Sequence, residues 1–139
     1  MIPFAIGVLL APAVAAFGRA AGLDRDRAFY PVTLIVVASY YVLFAAVGGS
    51  MWAVAIESGV MAAFVVAAVA GFKRSLWLVS VALVAHGVFD LVHHHLIDNP
   101  GVPAWWPAFC MAYDIGAGAT LAWLLGGLRP KEGVAAFRF

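Results

Sequence analysis

Five apolar blocks, at residues 2–17, 29–47, 51–72, 76–97 and 105–128, account for most of this chain and are separated by short polar breaks. A helix of about 20 residues, rising 1.5 Å per residue, crosses the roughly 30 Å of hydrocarbon in a bilayer. Inside lipid no water is available for unpaired backbone groups, so segments of this length close their hydrogen bonds internally as α-helices. With 65% hydrophobic and 11% charged residues and a mean hydropathy of +1.01, the chain lies far outside the soluble range. The expectation is an all-α integral membrane bundle of about five transmembrane helices, forming a single domain over residues 1–139.

The first block is the shortest, and Pro12 interrupts its hydrogen-bond ladder. Its N-terminal stretch lacks a basic leader and reads as a retained span; a cleaved or interfacial segment would leave four spans. The breaks Gly48-Gly49-Ser50 and Asp98-Asn99-Pro100-Gly101 are strong turn sequences. Pro107 fits the first turn of the last helix, where a missing N–H costs nothing, and Trp105 and Trp106 suit an interfacial belt.

Orientation follows from the basic residues. Arg19, Arg25 and Arg27 follow the first span, Lys73 and Arg74 the third, and Arg129, Lys131 and Arg138 the fifth, so all 8 fall on one face. That face is assigned as cytoplasmic, with the N-terminus outside and the C-terminus inside a multi-pass protein of the inner (cytoplasmic) membrane.

Against this background the stretch HGVFDLVHHH, residues 86–95, stands apart, because it places all 4 histidines and an aspartate within or beside the fourth span. Counted from the outer span ends, Glu57 and Asp90 lie roughly 8 to 9 Å deep, and His86 and Asp114 roughly 13 to 15 Å deep. Tyr40, Tyr41 and Cys110 reach similar levels. On the fourth helix His86, Asp90 and one or both of His93 and His94 share a face by their i, i+4, i+7/i+8 spacing, whereas His95 points toward the headgroups.

An ionised carboxylate at such depth costs several kcal/mol unless it is paired, and the spans offer no Lys or Arg. Protonation, a water-filled cavity, hydrogen bonding to the histidines or a bound cation are the available solutions. A divalent transition metal accounts for the pattern most economically. The candidate ligands are His86, Asp90, His93, His94, Glu57 and Asp114, with Glu57 or Asp114 completing the shell or serving as general base. Imidazoles mixed with carboxylates suit Zn²⁺ or Fe²⁺, and also Mn²⁺, but not Ca²⁺ or Cu⁺. The structural alternative is a neutral core His86 donating to Asp90, with His93 to His95 forming a solvated helix end. Cys110 reads more readily as a small core residue than as a ligand.

Small residues recur at four-residue spacing in Gly59, Ala63, Ala67 and Gly71, and again in Gly118, Ala122 and Gly126. They permit close helix approach, either within the chain or in a homo-oligomer. The terminal RPKEGVAAFRF reads as a short basic surface tail with some lipid contact.

The run HGVFDLVHHH followed by VPAWWPAFCMAYD resembles a family of small bacterial polytopic membrane proteins with an HGxxDxxHH…WWPxFCxxYD signature. Its positions here are His86, Gly87, Asp90, His93, His94, Trp105, Pro107, Cys110 and Asp114, within spans two to five. That resemblance implies the bundle and no particular activity. More distantly, Asp and His on successive spans are similar to the alkaline-ceramidase-like membrane hydrolases, which implies zinc held by histidines and an aspartate. The present chain has fewer spans and all its histidines on one helix.

Several functions are excluded. A retinal Schiff base needs an intramembrane lysine, and Lys73 and Lys131 sit at span ends. Bis-histidine haem needs ligands on opposite helices. The single cysteine excludes an internal disulfide and thiol-pair redox chemistry, and the few basic residues hug the membrane, leaving nucleic-acid binding without support. What remains is a metal-dependent enzyme, a hydrolase or an oxidoreductase, acting on a lipid-like or amphiphilic small molecule. The alternative is a proton- or metal-ion-coupled transporter, or an accessory subunit of a larger membrane complex. With Thr33, Ser80 and Thr120 as the only polar residues in the cytoplasmic halves, a path across the whole bilayer is poorly supported.

Overall fold

The computed structural model describes residues 1–25 and 27–127. The basic tail, including Arg129, Lys131 and Arg138, lies outside the described residues. The described residues form five helices in chain order: α1 (Ile2–Ala21), α2 (Phe29–Val47), α3 (Met51–Lys73), α4 (Leu76–Leu96) and α5 (Trp106–Gly127). No strand occurs among the described residues, and each helix is long and apolar enough to cross a membrane.

Local chemistry accounts for the helix ends. Ser50 and Ser75 cap α3 and α4, their hydroxyls accepting from the backbone N–H of Ala53 and Trp77. Pro12 does not end α1, which continues to Gly22, a left-handed cap whose N–H reaches back to the carbonyls of Gly18 and Arg19. The first helix thus gains a full turn beyond the apolar run visible in the sequence.

The N-terminus, the α2–α3 turn and the α4–α5 loop form one end of the bundle, here termed the upper end. Arg19, Arg25, Lys73 and Arg74 lie toward the lower end. The principal packing pairs are α4 with α5, α1 with α5, and α2 with α3, while α3 leans on α4 over a shorter seam.

Glycine sets the closeness of the α4–α5 pair. A Cβ on Gly87 would meet the Met111 carbonyl at 3.0 Å, and one on Gly118 would meet the Ser80 carbonyl at 2.9 Å. Ser80 adds a bond at that crossing, its hydroxyl donating to the Gly118 carbonyl at 2.8 Å. Of the two small-residue stripes, Gly71 abuts Val79 on α4, whereas Gly59 and Gly126 face open space. The stripes therefore contribute to packing only in part, and the α1–α5 seam is formed by other small residues: Gly7 lies against the Phe109 carbonyl and Ala112, and Gly116 against Ala11.

On α4 the buried residues Val79, Leu83, His86, Asp90 and His93, spaced three or four apart, form one inward stripe, flanked by buried Ser80, Ala82 and Gly87. On α5 the corresponding stripe is Trp106, Cys110, Asp114, Ala117 and Leu121. Apolar residues fill the lower part of both stripes, and the ionisable ones all fall in the upper part.

Candidate functional site

Two stripes that approach this closely bring their polar members together. His86 and Asp90 from α4 meet Cys110 and Asp114 from α5, and four ligand atoms, one from each residue, lie within 4.8 Å of one another. All four side chains are buried. His86 Nδ1 is 2.6 Å from Asp114 Oδ2 and 3.7 Å from Asp90 Oδ2. Cys110 Sγ donates to Asp114 Oδ2 at 3.5 Å, as their i, i+4 spacing on one helix face allows.

A second polar group sits above the first. His93 Nε2 is 2.7 Å from Glu57 Oε1, and Asn99 Nδ2 donates to the same oxygen at 2.9 Å. Asn99 also donates to the Tyr41 carbonyl at 3.0 Å, while its Oδ1 accepts from the Gly101 N–H at 3.3 Å. The α4–α5 loop is thereby folded inward over the end of α2, where Gly101 and Gly48 touch backbone to backbone with no room for a side chain on either.

Tyr41 connects the groups. Its hydroxyl donates to Asp90 Oδ1 at 2.7 Å, and its ring stacks on His93 with centroids 4.0 Å apart.

Carboxylates outnumber imidazoles in this network, and no Lys or Arg from the described residues enters it. Glu57 Oε2, Asp90 Oδ2 and Asp114 Oδ1 are buried without a hydrogen-bond partner among the described residues. A buried acceptor left unmet costs about 1–3 kcal/mol, and more when charged. Three such oxygens in one core are suited to a cation or to protons.

One imidazole nitrogen, one cysteine sulfur and two carboxylate oxygens are a donor set that could hold a metal ion. With the thiol included the set is softer than imidazoles and carboxylates alone, which disfavours Mn²⁺. Around a tetrahedral ion with bonds of about 2.0–2.3 Å, neighbouring ligand atoms lie about 3.3–3.8 Å apart. The His86–Asp90 separation of 3.7 Å is close to this, His86 and Asp114 at 2.6 Å are nearer, and the group as a whole extends to 4.8 Å, so the four side chains would shift by up to about 1 Å to hold an ion.

Of the residues singled out in the sequence, His86, Asp90 and Asp114 come together. Glu57 and His93 pair with each other instead. Seven residues above His86 on the same face, His93 lies about 10 Å farther along the helix and so reaches α3 rather than Asp114. His94 is exposed, its ring 3.7 Å from that of His95, and contributes to neither group. Cys110, read from the sequence as core, belongs to the four-ligand group; its position one turn from Asp114 was the available signal. Asn99, read only as a turn residue, anchors Glu57, and nothing in the sequence distinguishes it from an ordinary loop asparagine.

Two cavities flank the network. One of about 530 Å³ is lined by Asp90, His93, His94 and Asn99 together with Pro103 and Met111, and lies at the upper end. The other, about 890 Å³, is an apolar groove between α1 and α2, and Cys110 forms part of its floor.

No family model, curated protein or solved structure matches this chain. The geometry of the site therefore carries the functional reading by itself.

Proposed function

We propose that this is a multi-pass membrane metalloprotein in which His86, Asp90, Cys110 and Asp114 hold one Zn²⁺ or Fe²⁺. Its function on this reading is that of a metal-dependent enzyme acting on a lipid-like amphiphile. The observation that carries it is the convergence of four buried ligand atoms within 4.8 Å from two helices, in a core with three unpartnered carboxylate oxygens. When bound, such an ion supplies Lewis acidity to a substrate carbonyl or to water.

The chain's own residues divide the remaining work. Asp90 and Asp114 supply the negative charge that a divalent cation needs, and Tyr41 orients Asp90 through its hydroxyl. Glu57, held through Oε1 by His93 and Asn99, keeps Oε2 free to take a proton and serves as general base, with His93 as its proton partner. The upper cavity, bordered by both Asp90 and His93, admits water. The one-sided distribution of basic residues sets this end on the outer face of the inner membrane, with the C-terminus in the cytoplasm. Exposed Gly59 and Ala63 on α3 offer a face for a second copy.

A relay of protons or metal ions is the second reading, favoured by the run of Glu57, His93, Tyr41, Asp90, His86 and Asp114, in which His93 and Tyr41 meet by ring stacking and Asp90 lies 3.7 Å from His86. Below Asp114 this continuity ends among the described residues. The hydroxyls of Thr33, Ser80 and Thr120 are each committed to a backbone carbonyl, so the enzyme reading is preferred.

Elemental analysis of detergent-purified protein tests the metal. Wild type is expected to carry close to one Zn or Fe per chain, and His86→Ala and Asp114→Asn to lose it. Substoichiometric metal in wild type, or unchanged metal in both variants, overturns the reading. Turnover of lipid esters and amides in detergent, beside ion flux in sealed liposomes, separates the two functions, since flux without turnover selects the relay.

A further inference from the structure

Two of the histidines stand outside both buried groups. His94 and His95 lie exposed at the end of α4, and their ring centroids are 3.7 Å apart, although successive positions on a helix do not ordinarily face each other. His94 also borders the upper cavity of about 530 Å³, together with exposed Asp98 on the α4–α5 loop. The same cavity reaches buried His93 and Asp90, the latter a member of the four-ligand group. One space therefore joins a surface imidazole and a surface carboxylate to the flank of that group.

A divalent ion entering an apolar core sheds bound water, and it passes readily only where ligand atoms take the place of that water. The upper cavity supplies them in order, with His94 and Asp98 at the mouth and His93 and Asp90 within. No Lys or Arg borders it, so no side chain there repels a cation. Imidazole nitrogens at the mouth suit Zn²⁺ or Fe²⁺, whereas Ca²⁺ and Mg²⁺ take oxygen ligands. The groove between α1 and α2 also touches the group, through Cys110, yet no carboxylate or imidazole borders it. An ion on that path would meet its first strong ligand only at the end.

We propose that the upper cavity is the loading port of the four-ligand group, and that His94 and His95, with Asp98, form the site where a divalent transition-metal ion first binds. The ion then moves inward past His93 to Asp90. This rests on the reading that His86, Asp90, Cys110 and Asp114 hold a metal, and it assigns the exposed end of HGVFDLVHHH to catching the ion rather than keeping it. Residues that act on the path alone speed entry and exit by the same factor and leave the equilibrium where it was.

The test uses the full metal-free chain in detergent, mixed rapidly with Co²⁺. Cobalt bound to a cysteine sulfur absorbs in the near ultraviolet and cobalt held by histidines alone does not, so this absorption reports arrival beside Cys110. His94→Ala combined with His95→Ala should slow both loading and release to a chelator by about 10-fold or more, the extent to which local charge and ligands raise an association rate, with the final absorption unchanged. Asp98→Asn should act in the same direction. Ala108→Trp, which fills the cavity, should slow loading as well, whereas Val36→Trp, which fills the α1–α2 groove, should not. Unaltered rates in the double histidine variant, or slowing by Val36→Trp but not by Ala108→Trp, would each overturn the proposal. So would a lower final absorption in the double variant, since it would make these histidines ligands at equilibrium. Absence of the sulfur absorption in wild type would instead overturn the metal reading, and this proposal with it.

Discussion

Tyr41 and Asp90 form, among the described residues, the one hydrogen bond between α2 and the four-ligand group, at 2.7 Å from a fully buried hydroxyl to a fully buried carboxylate. Through it α2, which contributes no member of that group, holds the orientation of one on α4.

Tyr41→Phe therefore leaves Asp90 Oδ1 without a partner while preserving the ring stacked on His93. We expect a loss of about 1–3 kcal/mol in stability and a 10- to 100-fold drop in metal affinity, the size usual for groups that orient a ligand. Thermal unfolding of the metal-free protein and competition with a chromogenic chelator measure the two effects separately.

His93→Ala and His86→Ala should behave differently. His93 pairs with Glu57 outside the four-ligand group, so its removal should leave the metal bound and reduce turnover, whereas His86→Ala should empty the site. Metal content and activity measured on both variants decide this, and equal metal loss in the two would mean that the ligand set includes His93.

Gly118→Leu places a branched side chain where a Cβ alone already meets the Ser80 carbonyl at 2.9 Å and Val84 at 2.8 Å. Forcing α4 from α5 is expected to cost about 1–3 kcal/mol by overpacking and to weaken metal binding, since the ligands come from both helices. By contrast Gly126→Leu, at a position with open space around it, should change neither melting temperature nor metal affinity.

A cysteine introduced at exposed Asp98 should react with a membrane-impermeant maleimide added to intact spheroplasts, whereas native Cys110, 1% exposed, should react only after denaturation. Labelling of Asp98→Cys only in inverted vesicles would reverse the orientation taken from the basic residues.

Much of this architecture was legible because the membrane leaves a chain few choices. Runs of apolar residues at bilayer length become helices, and the turns at Gly48-Gly49-Ser50 and Asp98-Asn99-Pro100-Gly101 fall where Gly, Asn and Pro favour them. The meeting of His86, Asp90 and Asp114 was legible for a related reason, since ionisable groups buried in an apolar bundle have few partners other than one another. How the polar residues divide between two groups was not legible. That division depends on which helices are neighbours and on a single turn of height, and it assigns His93 to Glu57 and Cys110 to Asp114. Asn99 lay further out of reach, because its role arises only when the α4–α5 loop folds back onto the Tyr41 carbonyl.

Helix α1 gives no side chain to either polar group and is held mainly along one seam, where Gly7 and Gly116 let it lie flat on α5. It covers the polar core from one side without contributing to it. A four-helix remnant beginning at α2 would retain every ionisable residue of the core but would bare the flank of Cys110 to the surrounding fatty acids, exchanging a sheltered compartment for an open one.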